Sequence, residues 1–77
     1  MKKLALVVDD TPYIREDIRD ILEEMGYEVY EANDGLEALK MYKKVKPQVV
    51  TMDINMPNMH GLAATKEISN YDKDAKI

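Results

Sequence analysis

Two short apolar runs, each cut off by aspartate, constrain this chain more than any other feature of it. Leu4-Ala5-Leu6-Val7-Val8 ends at Asp9-Asp10, and Val49-Val50-Thr51-Met52 ends at Asp53. A run of this length with little polar alternation suits a strand covered on both faces. The segments between and after the runs alternate helix with strand. Thr11-Pro12 starts a helix, with Thr11 as N-cap and Pro12 at the first helical position. Ile14, Ile18, Ile21, Leu22 and Met25 follow on one face at helical spacing. The opposite face is charged, and Arg19 and Glu23 are spaced to pair along it. Gly26 stops the helix.

Tyr27 to Glu31 alternates apolar and polar with β-favouring residues and reads as an edge strand. Asp34 and Glu37 make a capping-box pattern around Gly35. Leu36, Leu39, Tyr42 and Val45 form a second helical stripe, which Pro47 ends. After Asp53 a loop from Ile54 to His60 carries Pro57. Gly61 precedes a third helical stretch with Leu62, Thr65 and Ile68. Asn70 to Lys76 is polar and turn-like, and Ile77 stands where a new strand can begin. The order β-α-β-α-β-α implies a parallel sheet with helical crossovers.

The 77 residues hold at most one domain with a small core. No apolar run approaches the roughly 18 residues of a membrane span. The N-terminal apolar stretch is too short for a secretory signal. There is no cysteine, and one histidine, so thiolate chemistry, disulfides and a conventional zinc site are not expected. A net charge of −4 without a basic cluster argues against nucleic-acid binding. A cytoplasmic protein without membrane contact is the expectation.

In parallel α/β sheets, ligands bind beyond the carboxyl ends of the strands. Asp9, Asp10 and Asp53 all fall at that edge, and converge if their strands are neighbours. Three clustered carboxylates repel one another. A hard divalent cation resolves the repulsion, and Mg2+ takes oxygen ligands while retaining waters. The same cation attracts a phosphoryl group and neutralises its oxygens during transfer. A carboxylate can serve as nucleophile, forming an aspartyl phosphate. The residues thus point to Mg2+-dependent phosphoryl transfer to a carboxylate, without saying which aspartate accepts.

Blander readings compete. Alone, Asp9-Asp10 is a solvated turn and Asp53 a strand-ending residue; the pattern carries weight only as a whole. An EF-hand loop starting at Asp53 fails, because its sixth position is Asn58 rather than Gly and its twelfth is Ala64 rather than Glu. A phosphatase with an aspartate nucleophile wants a second acid two residues on, where Asn55 stands. His60 reads as an exposed loop residue, the six methionines as packing, and the acidic face of the first helix as solvated.

Val7-Val8-Asp9-Asp10 and Met52-Asp53-Ile54-Asn55-Met56-Pro57-Asn58-Met59-His60-Gly61 resemble the two N-terminal motifs of response-regulator receiver domains. Their spacing, the Gly26-Tyr27 turn and the Asn33-Asp34-Gly35 helix start agree with that family, closest to its chemotaxis-type single-domain members. The resemblance implies a flavodoxin-like doubly wound sheet, here the first three βα units in the order 2-1-3. It makes Asp53 the phosphoacceptor and a histidine kinase the phosphodonor, with an unspecified output partner. It makes Asp10 and Asp53 direct Mg2+ ligands (Mn2+ being an alternative), Asn55 a ligand through its backbone carbonyl, and Asp9 a ligand through water. Pro57 and Gly61 would shape the loop after the acceptor.

The family pattern continues through a fourth strand ending in Ser or Thr and a fifth ending in Lys. Residues 1–77 would therefore be the N-terminal part of one receiver domain, without its fourth and fifth βα units. An open edge on the third strand and an uncovered sheet face would then favour a homo-oligomer. The alternative function is a self-associating structural half-domain without competent phosphotransfer.

Overall fold

The computed structural model describes residues 3–54, 56 and 59–77. Six elements follow in order: β1 (Lys3–Val8), α1 (Pro12–Glu24), β2 (Tyr27–Ala32), α2 (Gly35–Val45), β3 (Val49–Met52) and α3 (Gly61–Tyr71). The sheet is parallel, with strand order β2-β1-β3. This is the first half of the doubly wound arrangement that the motifs imply, with β2 at an edge.

The pleat of β1 divides the core. Leu6 and Val8 join Ala32, Val50, Ala38, Tyr42, Met56 and Ile68 in one buried cluster, roofed by α2 and α3. Ala5 and Val7 point to the other face by the period-two rule, and both are fully buried. On that side α1 packs against β1 and β2. Of the sheet face expected to be uncovered, the β1 part is therefore covered, while Val49 and Thr51 beside it on β3 are half-buried. What stays open is the outer flank of α1 itself. Ile18 and Leu22 are half-buried, whereas Ile21 and Met25 are 58% and 60% exposed. The stripe is wider than the sheet it rests on.

Two further stripe residues lie outside the core. Leu36 and Leu62 are exposed, because the buried faces run through Gly35, Ala38 and Tyr42 on α2 and through Gly61, Ala64 and Ile68 on α3. Where helix packs on helix and sheet, small residues at 3–4 spacing let the backbones approach. The larger leucines fall about a third of a turn or more away from that line.

Helix ends follow the sequence closely, with local differences. Asp34 Oδ1 accepts from the Glu37 N–H at 2.7 Å. Glu37 reaches back to the N–H of Asn33 rather than of Asp34. Thr11 occupies the N-cap of α1, but its hydroxyl makes no capping bond; its own N–H is instead bound by Asp9 Oδ1 at 2.9 Å. Gly26, with φ +94°, turns the chain out of α1. At the end of α2, Lys46 adopts a left-handed conformation, φ 52° and ψ 62°, just before Pro47.

The outer edge of β3 is not bare. The Val50 N–H donates to the Lys76 carbonyl at 2.8 Å, so the segment before Ile77 runs beside β3 where the sequence suggested that a strand can begin. No helix among the described residues is long and apolar enough to cross a membrane.

Candidate functional site

Register brings the acids together. Val8 pairs with Met52, so the residues that follow them, Asp9 and Asp53, leave neighbouring strands at the same level. The Asp53 N–H donates to the Val8 carbonyl at 2.9 Å, and the Asp9 N–H donates to the Ala32 carbonyl at 3.1 Å. The ladder thus extends one residue past each strand and holds both backbones. One carboxylate oxygen from each of Asp9, Asp10 and Asp53 lies within 4.8 Å of the others. Asp9 is buried at 8% exposure, Asp53 is half-buried and Asp10 exposed.

Three anionic oxygen donors in this span suit a small hard cation that keeps part of its water. The graded exposure suits it as well. Asp10 and Asp53 open toward solvent, while Asp9 is recessed and already spends one oxygen on the Thr11 N–H. The convergence expected of Asp9, Asp10 and Asp53 is present. Asn55, the fourth expected ligand, lies outside the described residues, as does Pro57.

Gly61 shapes the other wall. A Cβ at this position would stand 2.0 Å from the Asp53 carbonyl oxygen and 2.7 Å from Ile54 Cα. The start of α3 therefore rests directly on the backbone of Asp53, and the Gly61 N–H donates to the Ile54 carbonyl at 2.9 Å. Next to it, exposed His60 is the N-cap of α3, its Nδ1 accepting a long 3.4 Å bond from the Leu62 N–H.

Behind Asp9 is a group that the sequence pattern does not announce. Arg15 on α1 donates from Nη1 to the Asp9 carbonyl at 2.8 Å and from Nε to Glu31 Oε1 on β2 at 2.9 Å. The second Glu31 oxygen accepts from Arg19 at 3.2 Å. Arg19 thus reaches β2 and Asp20, and it also makes the expected ion pair with Glu23 along the helix at 3.9 Å. Glu31 first, then Asp20, raise the Arg19 guanidinium above its ordinary value. The only sequence trace of this network is an arginine one helical turn after Thr11; the partner, sixteen residues on, depends on how α1 lies across β2.

Residues 5–77 match the family model of the response regulator receiver domain. The chemotaxis protein CheY of Thermotoga maritima is 50% identical over 78 residues, covering 100% of this chain and 65% of that protein. The response regulator TrrA of the same organism, solved in complex with Mg(2+)-BeF, superposes with a TM-score of 0.93 at 47% identity, over 97% of this chain and 65% of that one. A chain of the CheX-CheY-BeF3-Mg+2 complex of Borrelia burgdorferi gives a TM-score of 0.90 at 33% identity, over 95% of this chain and 57% of that one. The chain thus spans 57–65% of the length of these relatives.

Proposed function

The chain belongs to the response regulator receiver domain family, and from that premise we propose that Asp53 is the acceptor of a phosphoryl group in a magnesium-dependent signalling reaction. The observation that carries the reading is the meeting of the Asp9, Asp10 and Asp53 carboxylates within 4.8 Å at the carboxyl ends of β1 and β3. In this reading Asp10 and Asp53 hold Mg2+ directly, Asp9 through water, and Asn55 through its carbonyl; Mn2+ can substitute. The cation, when bound, neutralises charge on the transferred group.

The chain's own residues do the rest. An Asp53 carboxylate oxygen attacks phosphorus, an O–P bond forms, and the bond from phosphorus to the donor breaks. With a histidine kinase as donor, the broken bond is to an imidazole nitrogen. Gly61 keeps α3 close to the Asp53 backbone, so the acceptor is held by the Val8 carbonyl on one side and by a helix start on the other. Fixed placement of this kind lowers the entropic part of the barrier.

Residues 1–77 then act as the N-terminal part of a receiver, its first three βα units. That the relatives are longer supports this, as does the bond between Val50 and Lys76, which has the form of a first rung for another strand. The donor kinase and the output partner belong to the same reading. The family pattern places a lysine at the end of a fifth strand, beyond the span of residues 1–77, so slow transfer to this segment alone is the expected outcome. Loss of one preorganised charge-stabilising group costs on the order of 100-fold in rate.

The test is incubation with a small acyl phosphate and Mg2+, read by intact mass. A phosphoryl adduct that needs the metal and disappears in Asp53→Asn is the expected result. Adduct retained in Asp53→Asn would move the acceptor elsewhere.

A further inference from the structure

We infer that Arg15 is a positioning residue for the metal site, fixing the peptide between Asp9 and Asp10 and so the aim of both carboxylates. The inference rests on the metal-site reading above and adds to it a residue from α1, outside the acidic motif.

Asp9 is tied by three different groups. Its N–H goes to Ala32 on β2, its Oδ1 takes the Thr11 N–H, and its carbonyl takes Arg15 Nη1. That carbonyl shares one rigid plane with the N–H of Asp10. Holding the oxygen therefore sets how Asp10 departs, although Asp10 itself is exposed. Arg15 can hold it because Arg15 is held: Glu31 clamps Nε, and Arg19 clamps Glu31 from the far side. The Arg15 and Glu31 side chains are 19% and 29% exposed, so the pair is sheltered from full solvent competition.

The chemistry requires arginine. Its planar fork presents two N–H groups at a fixed angle, one for a carboxylate and one for a carbonyl. A lysine ammonium is a single point of charge on a flexible stem. The electrostatic sign separates positioning from a plain charge effect. A positive group behind a cation site repels the cation, so by Coulomb's law alone its removal tightens binding. If Arg15 acts by geometry, its removal weakens binding.

The experiment measures Mn2+ affinity of the 77-residue chain by the electron paramagnetic resonance signal of free Mn2+, beside urea melts without metal. Arg15→Lys keeps the charge and loses the fork; it is expected to bind about 10-fold or more weakly, the usual scale for losing an outer support of a metal ligand. Arg15→Gln loses the charge too and is still expected to bind more weakly than wild type. Wild-type affinity in Arg15→Lys, or equal or tighter binding in Arg15→Gln, overturns the inference, and a lowered urea midpoint with unchanged affinity reduces Arg15 to a staple between α1 and β2. Should the Arg15 variants not fold, Glu31→Ala decides. It removes the brace together with one negative charge and the partner of Arg19, so it is measured in about 1 M salt, where charge effects beyond about 3 Å are screened, and there it must still weaken Mn2+ binding. No Mn2+ binding by the wild type would instead overturn the metal-site reading itself.

Discussion

The phenol of Tyr42, in the middle of α2, donates a 2.8 Å hydrogen bond to Oδ2 of Asp72, the residue that ends α3. Tyr42 is 2% exposed, and its ring meets Tyr71 edge-on at 6.4 Å between centroids. The bond locks the two helices that roof the larger half of the core. Burial first, and the Asp72 bond second, push the phenol up to about 12. The same bond holds the Asp72 carboxyl below its ordinary value.

That pair sets a pH dependence. A tyrosine whose folded value lies above its unfolded value of 10.0 contributes stability fully below pH 10.0 and loses it as pH rises toward about 12. Asp72, shifted down, contributes above its ordinary value of 3.8 and loses that contribution as pH falls below it. Tyr42→Phe keeps the ring and removes the bond. It is expected to cost about 1 kcal/mol at neutral pH and to flatten the alkaline fall in stability between pH 10.0 and about 12. Urea denaturation across that range checks this; equal alkaline slopes in both proteins would contradict it.

Gly61→Ala should damage the site as well as the fold. The new Cβ meets backbone atoms of Asp53 and Ile54, which cannot swing aside as a side chain would. A loss of about 1–3 kcal/mol is expected, the range for overpacking, together with weaker Mn2+ binding as Asp53 shifts. Gly26→Ala is the comparison. Nothing lies within 4 Å of its Cβ, so its cost is the positive φ alone, about 1–2 kcal/mol, and metal affinity should not change. Calorimetric melts with metal titrations on both variants separate the two effects.

Lys46→Gly should stabilise the protein. Lys46 closes α2 at φ 52°, with its N–H on the Tyr42 carbonyl at 2.8 Å. Glycine makes the same bond without crowding between Cβ and carbonyl. The expected gain is about 0.5–1 kcal/mol after allowing for the freer unfolded chain. A lowered urea midpoint would show that the lysine side chain contributes more than its backbone costs.

Self-association of the 77-residue chain should run through α1. Ile14, Ile21 and Met25 are exposed and line up at helical spacing, making an apolar flank that a second copy can bury. Light scattering after size exclusion is expected to give more than a monomer mass. Ile21→Lys with Met25→Lys should return the monomer with the fold intact, because neither side chain is in the core. A monomeric wild type ends this proposal.

Much of the candidate site is legible in the sequence alone, because its signals are local. An apolar run that stops at aspartate, a proline at a helix start and an aspartate three residues before a glutamate each report on the few residues around them. Strand-helix alternation and the rule for ligand sites in parallel sheets then carried Asp9, Asp10 and Asp53 to one edge. The resemblance of the motifs supplied strand order and the choice of Asp53.

Tertiary structure decided what depends on neighbours distant in the chain. Leu36 and Leu62 read as core by hydrophobicity, yet the close approach of α2 to α3 selects Ala38 and Ala64 for the inside. Arg19 keeps the expected ion pair with its helical neighbour Glu23 at 3.9 Å and adds a closer one to Glu31 at 3.2 Å, because β2 brings a second carboxylate nearer. Arg15 and Glu31 are unremarkable letters sixteen residues apart until α1 lies across β2 and aims one guanidinium at the Asp9 carbonyl. Periodicity says which residues share a face, and composition says which prefer to be buried. Which side chain meets which backbone group is set by register and helix placement, and those arise only when the whole sheet has formed.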